Sequence, residues 1–178
     1  HYPEIKERVS REINSVFDTD LNRPINYEDL SKLNYCEAVI KEVSRLMSIV
    51  PVIWRMAIRD DEISDHKFKG STQFMINTPA IHMHEADWKD PESFNPSRFM
   101  NDSNNSDTQI HKNSLLIFGK GLRMCPGKQF AMVELKTLMV LLYRKYDVEL
   151  VDMNAPIKYH YSTVKHCDDL YVRINPRI

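Results

Sequence analysis

"FGKGLRMCPG", residues 118–127, holds three of the chain's four glycines and one of its three cysteines. So many turn residues around one thiol call for a backbone that bends sharply beside the sulfur. The plain alternative is an ordinary strand-to-helix turn with an incidental cysteine. With Phe118, Gly121, Arg123, Cys125 and Gly127 as fixed positions, average residue frequencies give a chance match on the order of one in ten million per starting point. Coincidence therefore does not account for the loop. Cys125-Pro126 precedes the longest helical pattern in the chain, where the positive end of a helix dipole and its unpaired N–H groups favour a thiolate. Pro126 has no N–H, so Gly127 and Lys128 are the expected donors to sulfur. A thiolate held this way can be a nucleophile, a redox thiol or a metal ligand. No histidine lies nearby in sequence to serve as its base, and a redox thiol would need a resolving partner.

Upstream, Ile5, Val9, Ile13 and Val16 repeat at helical spacing behind Pro3, predicting a helix to Phe17. A short helix is expected after Asn26. A longer one is expected from Asn34 to about Met47, with Asn34 and Glu37 as a capping box and Val50-Pro51 beyond its end. "IWRMAIR" and "TQFMIN" read as two strands of a small antiparallel sheet, and "DDEISDHKFKGS" between them reads as a turn region. Thr78-Pro79 is the expected cap and first turn of a brief helix through the histidines. The polar stretch 101–113 reads as a surface loop, with sequons at Asn101 and Asn104 that its Asn- and Ser-rich composition makes coincidental. "SLLIF" is expected to be extended. The helix after Cys125-Pro126 should end near Lys145 and bury Phe130, Val133, Leu138, Leu141 and Leu142. The tail "YDVEL", "IKYHYSTVK" and "LYVRIN" reads as strands, the last two paired across "HCDD". The class is mixed, mainly α with small β-sheets.

The chain has 178 residues, 24 Lys and Arg, 25 Asp and Glu and a formal charge of −1. Its charges are scattered, which gives no electrostatic footprint for nucleic acid. Cys36, Cys125 and Cys167 are odd in number and widely spaced, so a disulfide framework is not expected. The longest wholly apolar run, "LMVLLY", is far short of the ~20 residues that span a bilayer. A helical pattern starting directly after His1 is what a piece of a longer protein would have.

By spacing alone, Glu42 and Arg45 share a helix face and would form an exposed pair worth about 0.2–0.5 kcal/mol. Arg98, in "FNPSRF", reads as a solvated loop arginine. His82 and His84 lack a well-spaced third ligand and read as capping and packing residues, and His160, His166 and Cys167 match no standard zinc spacing.

Taken together, "EVSR" at residues 42–45, "PSRF" at residues 96–99 and "FGKGLRMCPG" resemble, in order and interval, the carboxy-terminal region of the cytochrome P-450 family. The resemblance covers essentially the whole chain. It implies that residues 1–178 are an incomplete carboxy-terminal part of a single haem-thiolate monooxygenase domain, with 101–113 as a surface loop. It implies haem b as cofactor and Cys125 as the axial ligand of its iron. Arg123 and Arg55 would meet the haem propionates, Phe118 would shield the sulfur, Gly121 would permit the turn, and Gly127 would let backbone approach. Glu42, Arg45 and Arg98 would then form a buried triad, reversing the reading drawn from spacing. Ser97 departs from the family's commoner Glu at that place.

The parent would oxidise a small apolar organic substrate with electrons from NADPH through a reductase, at the cytosolic face of the endoplasmic reticulum. Membrane contact would come through parts outside this chain. The alternatives to this reading are a haem-thiolate peroxide isomerase or dehydratase needing no reductase, or a non-enzymatic fragment. The apolar stretch from Val50 to Trp54 would face the substrate.

Overall fold

A computed structural model describes residues 2–18, 22–100 and 114–177. The polar stretch 101–113, with Asn101 and Asn104, lies outside the described residues. The elements are α1 (Pro3–Phe17), α2 (Tyr27–Ser31), α3 (Asn34–Leu46), β1 (Val52–Met56), β2 (Asp61–Ile63), β3 (His66–Phe68), β4 (Gln73–Asn77), α4 (Thr78–His82), α5 (Lys128–Lys145), β5 (Tyr146–Leu150), β6 (Tyr159–Tyr161), β7 (Lys165–Cys167) and β8 (Val172–Pro176). Short 3₁₀ turns occupy Pro96–Phe99 and Gly121–Arg123. The mixed, mainly helical class is as expected.

The core lies among four helices. Val9, Ile13 and Phe17 of α1 meet Leu30, Leu33, Tyr35, Cys36 and Val140. Removal of this apolar area from water is what binds the helices to one another. Cations are built into the same core. Lys136 of α5 is buried, bonding Glu37 Oε2 at 2.6 Å and donating to the Leu30 carbonyl at 3.2 Å. Arg144 lies over the Phe17 ring at 4.6 Å, a geometry that suits the ring's negative face. Burial and the neighbouring Glu12 push the Cys36 thiol far up, so it stays protonated.

The start of α3 differs from expectation. Asn34 is its first helical residue, not its cap, and Leu33 offers no side-chain cap. Instead the Glu12 carboxylate reaches across from α1 and accepts from the Tyr35 and Cys36 amides at 2.7 and 2.8 Å. An anion from a neighbouring helix thus satisfies donors that the local sequence leaves open. Glu37 points elsewhere, to Lys41 and Lys136. The capping box falls in α2, where Asn26 and Asp29 exchange bonds.

α5 also turns differently. Its buried positions are Lys136, Val140 and Arg144, while Phe130, Leu138, Leu141 and Leu142 are exposed. The expected face was built only from apolar residues. The actual one uses long cations whose stems pack and whose charges find partners.

β1 and β4 pair antiparallel, Trp54 opposite Met75. The region between them is a second hairpin, β2 with β3, and not an irregular turn. Ser64 and Asp65 form its two-residue loop with φ of 47° and 66°, the paired positive angles of a twist-compatible hairpin turn. The tail pairs β5 with β8 and β6 with β7, so the two last expected strands are not partners of each other. "SLLIF" forms turns, the Gly119 amide returning to the Leu116 carbonyl at 3.0 Å. The cap of α4 is Asn77, one residue before the expected Thr78, with Asn77 Oδ1 accepting from the Ala80 amide at 3.1 Å.

Candidate functional site

The loop before α5 is held by its own backbone. Cys125 donates to the Phe118 carbonyl at 2.9 Å and Met124 to the Gly121 carbonyl at 3.1 Å. Gly119 and Gly121 adopt φ of 69° and 70°, where a side chain would cost roughly 1–2 kcal/mol. Gly121 is there for its backbone alone, since an added Cβ would meet nothing within 4 Å. Gly127 is different: its φ is −82°, and an added Cβ would lie an ordinary 3.8 Å from the Cys125 sulfur. Its role as a residue that must yield space to backbone is not required here. The Lys128 amide, expected to face sulfur, is directed at the Cys125 carbonyl at 3.4 Å. The turn that starts α5 uses that donor for its own closure.

Cys125 is exposed, two residues before Gly127, the N-cap of α5. Arg123 and Leu122 are exposed beside it and Phe118 is half-buried. β1 passes close to the loop, because an added Cβ on Gly119 would lie 3.9 Å from both Arg55 Nη2 and Ile53 Cδ1. The fold therefore gathers Cys125, Arg123, Phe118 and Arg55 from two separate stretches of sequence. A groove of about 650 Å³ lies between α2, α3 and α5 and is lined by Phe118, Met124 and Lys136, but Cys125, Arg123 and Arg55 do not line it. Cys125 thus lies on an open face of the fold and outside that groove.

Behind the loop, Glu42, Arg45 and Arg98 meet in the interior at 0%, 1% and 4% exposure. Glu42 accepts from Arg45 Nε at 2.8 Å and Nη2 at 2.9 Å, from Arg98 Nε at 3.2 Å and from the Asn95 amide at 2.8 Å. The exposed pair read from spacing is thus replaced by a desolvated cluster. Ser97 points away from it, its hydroxyl 3.4 Å from Arg8 Nη1.

The sequence matches the family described as Cytochrome P450 over residues 1–166. The chain belongs to the cytochrome P450 family. It is 33% identical over 147 residues to Cytochrome P450 4V2 of Rattus norvegicus, covering 83% of this chain and 27% of that protein. Against Cytochrome P450 4c3 of Drosophila melanogaster the identity is 32% over 177 residues, 99% of this chain and 32% of the relative. Steroid 17-alpha-hydroxylase/17,20 lyase of Ictalurus punctatus is 31% identical over 151 residues, 84% of this chain and 29% of its own length. The chain thus spans about a third or less of these P450s. In fold it matches the crystal structure of the cytochrome P450DA heme domain with a TM-score of 0.87 at 23% identity, covering 99% of this chain and 38% of that one.

The described histidines of this P450 chain separate into two kinds. His84 is exposed beside Asp87, and His160 and His166 stack across the β6–β7 hairpin at 5.1 Å with His160 bonded to Asp168 at 2.6 Å. Among the described residues no three of His, Cys, Asp and Glu are grouped to hold a metal ion. His82 is wholly buried. Its Nε2 accepts the Leu116 amide at 2.9 Å, which assigns the proton to Nδ1, and Nδ1 faces Ser48 Oγ at 2.8 Å and the Arg45 carbonyl at 3.2 Å. This link was missed in the sequence, where "IHMHE" carried only the sign of a packed histidine.

Burial holds the His82 pKa below its ordinary 6.5, the bond to the Arg45 carbonyl opposing and the Arg45 charge adding to the effect. The unfolded chain therefore takes up a proton that the native chain refuses. Stability is expected in full above about pH 6.5 and to fall as the pH drops through the native pKa, by up to about 1.4 kcal/mol per pH unit. Urea unfolding of wild type and His82→Gln across pH 7.5 to 5 checks this, the variant lacking that component of the slope.

Proposed function

We propose that residues 1–178 form the cysteine-bearing, carboxy-terminal part of a single haem monooxygenase domain. The parent protein inserts one atom of O2 into an apolar organic substrate, with electrons passed from NADPH by a reductase. The observation that carries this reading is one exposed thiol, Cys125, on a glycine-shaped loop before α5, with β1 bringing Arg55 and Ile53 against that loop.

These residues suit a haem. A single thiol without a grouped set of further ligands among the described residues fits a metal that brings its other donors in a macrocycle. Cys125 would hold the iron, and Arg55 and Arg123 would offset the two carboxylates at the edge of the ring. When bound, the haem would supply oxygen activation, favoured by electron density from a thiolate ligand. The chain's own part is positioning. Gly119 and Gly121 let the loop turn and the Phe118 carbonyl fixes the Cys125 amide, and the Phe118 side chain would shield the sulfur once the haem is in place.

Ile53, on the same face of β1 as Arg55 and close to the cysteine loop, is an apolar neighbour suited to an apolar substrate. The names of the relatives, a steroid hydroxylase among them, support a substrate of that class. We place the parent at the endoplasmic reticulum, anchored by segments outside this chain. None of the described helices is long and apolar enough to cross a membrane.

The test is turnover of the full-length protein with NADPH and a reductase, compared with turnover on an organic hydroperoxide alone. Oxygenation that requires NADPH, reductase and O2 together is the expected result. Rearrangement of the hydroperoxide without any reductant would overturn it.

A further inference from the structure

Three segments meet at one imidazole. His82, the last residue of α4, is wholly buried and joins the end of α3 to the stretch leading into the cysteine loop. It and Arg45 hold each other reciprocally: Arg45 Nη1 donates to the His82 carbonyl at 2.8 Å, and His82 Nδ1 faces the Arg45 carbonyl at 3.2 Å. Its other nitrogen accepts from the Leu116 amide at 2.9 Å. Leu116 in turn accepts from Gly119 at 3.0 Å, and Phe118 accepts from Cys125 at 2.9 Å. A short series of bonds therefore runs from the buried Glu42–Arg45 pair to the residue that bears the thiol.

We propose that His82 is a positioning residue for Cys125, setting the stance of its loop by holding the Leu116 amide against the end of α3. A neutral imidazole is suited to this because it accepts at one nitrogen and donates at the other. Leu116 is half-buried, so without that acceptor its N–H loses its protein partner where water reaches it poorly. The loop from Leu116 to Cys125 would then lose its tie to the end of α3. For its consequence at the haem, the inference rests on the reading of Cys125 as the iron ligand.

The two ends of the imidazole can be tested separately. Glutamine at position 82 extends to the place of Nε2 and can offer its carbonyl oxygen to Leu116. Asparagine reaches only the place of Nδ1 and keeps the Arg45 side. In the full-length protein, hydrogen exchange of the segment 114–118 and alkylation of Cys125 in the haem-free form are measured for wild type, His82→Gln and His82→Asn. His82→Asn should speed both by roughly tenfold, and His82→Gln should stay within about twofold of wild type. With haem and carbon monoxide, His82→Asn should lose most of its thiolate-type Soret band while His82→Gln keeps it.

Equal protection and equal alkylation in the two variants would overturn the inference, because a merely structural histidine would not separate them. A wild-type protein without the thiolate-type band would instead remove the haem-ligand reading. Exchange and alkylation would still decide the role of His82.

Discussion

Replacing Cys125 with serine should abolish the thiolate-type Soret band of the reduced, carbon monoxide-bound full-length protein and leave its fold in place. Serine is nearly the same size, so the loop has no steric reason to move. The bond from residue 125 to the Phe118 carbonyl is made by the backbone and survives the exchange. The sulfur is exposed in this chain, and surface substitutions of this kind change stability by about 0.5 kcal/mol or less. What changes is the donor: a hydroxyl stays protonated at neutral pH and cannot push charge as a thiolate does. Spectrum and stability should therefore separate, the band lost and the urea midpoint held. An unchanged band would mean that another group ligates the iron, and the assignment of Cys125 would fall. A lost band together with a collapsed fold would instead make residue 125 a structural position.

The sequence carried the loop well because its features are local. Cys125 precedes a long helix by chain order, and Gly121 with φ of 70° is what a turn of this kind demands. α1 was legible for the same reason, with Val9 and Ile13 of the expected stripe buried, although Phe17 and not Val16 closes the buried side. Failures occur where a distant residue supplies what the local sequence lacks. Glu12 caps α3 from 23 residues away, and no spacing around Asn34 could announce it. The buried face of α5 was misjudged because Lys136 and Arg144 count as polar, although Glu37 at the edge of the core and Phe17 within it receive them. The β2–β3 hairpin hid behind Ser64 and Asp65, which take positive φ without the usual glycine. His82 shows the same limit, since its acceptor role depends on where Leu116 returns, 34 residues on.

The largest loss of stability is expected from Glu42. Among the described residues its carboxylate is the single counter-charge for two guanidinium groups that are almost wholly removed from solvent. Among the described residues Arg45 and Arg98 are otherwise met by carbonyl dipoles, with the Met83 sulfur and the Trp88 ring also against Arg45. Arg45 bonds the His82 carbonyl, Arg98 bonds those of Lys89 and Asp90, and both share that of Ser93 at 3.3 Å. Glu42→Gln keeps the volume and removes the charge, and its amide N–H₂ would have to face guanidinium N–H groups. Two buried cations without a counter-charge cost about 3–5 kcal/mol, against a total stability of about 5–15 kcal/mol for a typical domain. Denaturation of the full-length protein should show that loss in Glu42→Gln and at least as much in Glu42→Ala. An exposed pair would cost less than about 1 kcal/mol, so the two descriptions of the cluster differ several-fold and one titration decides between them. The same substitution reaches the loop: with Arg45 no longer fixed, the His82 carbonyl loses its partner, and the Leu116 segment that leads to Cys125 loosens with it.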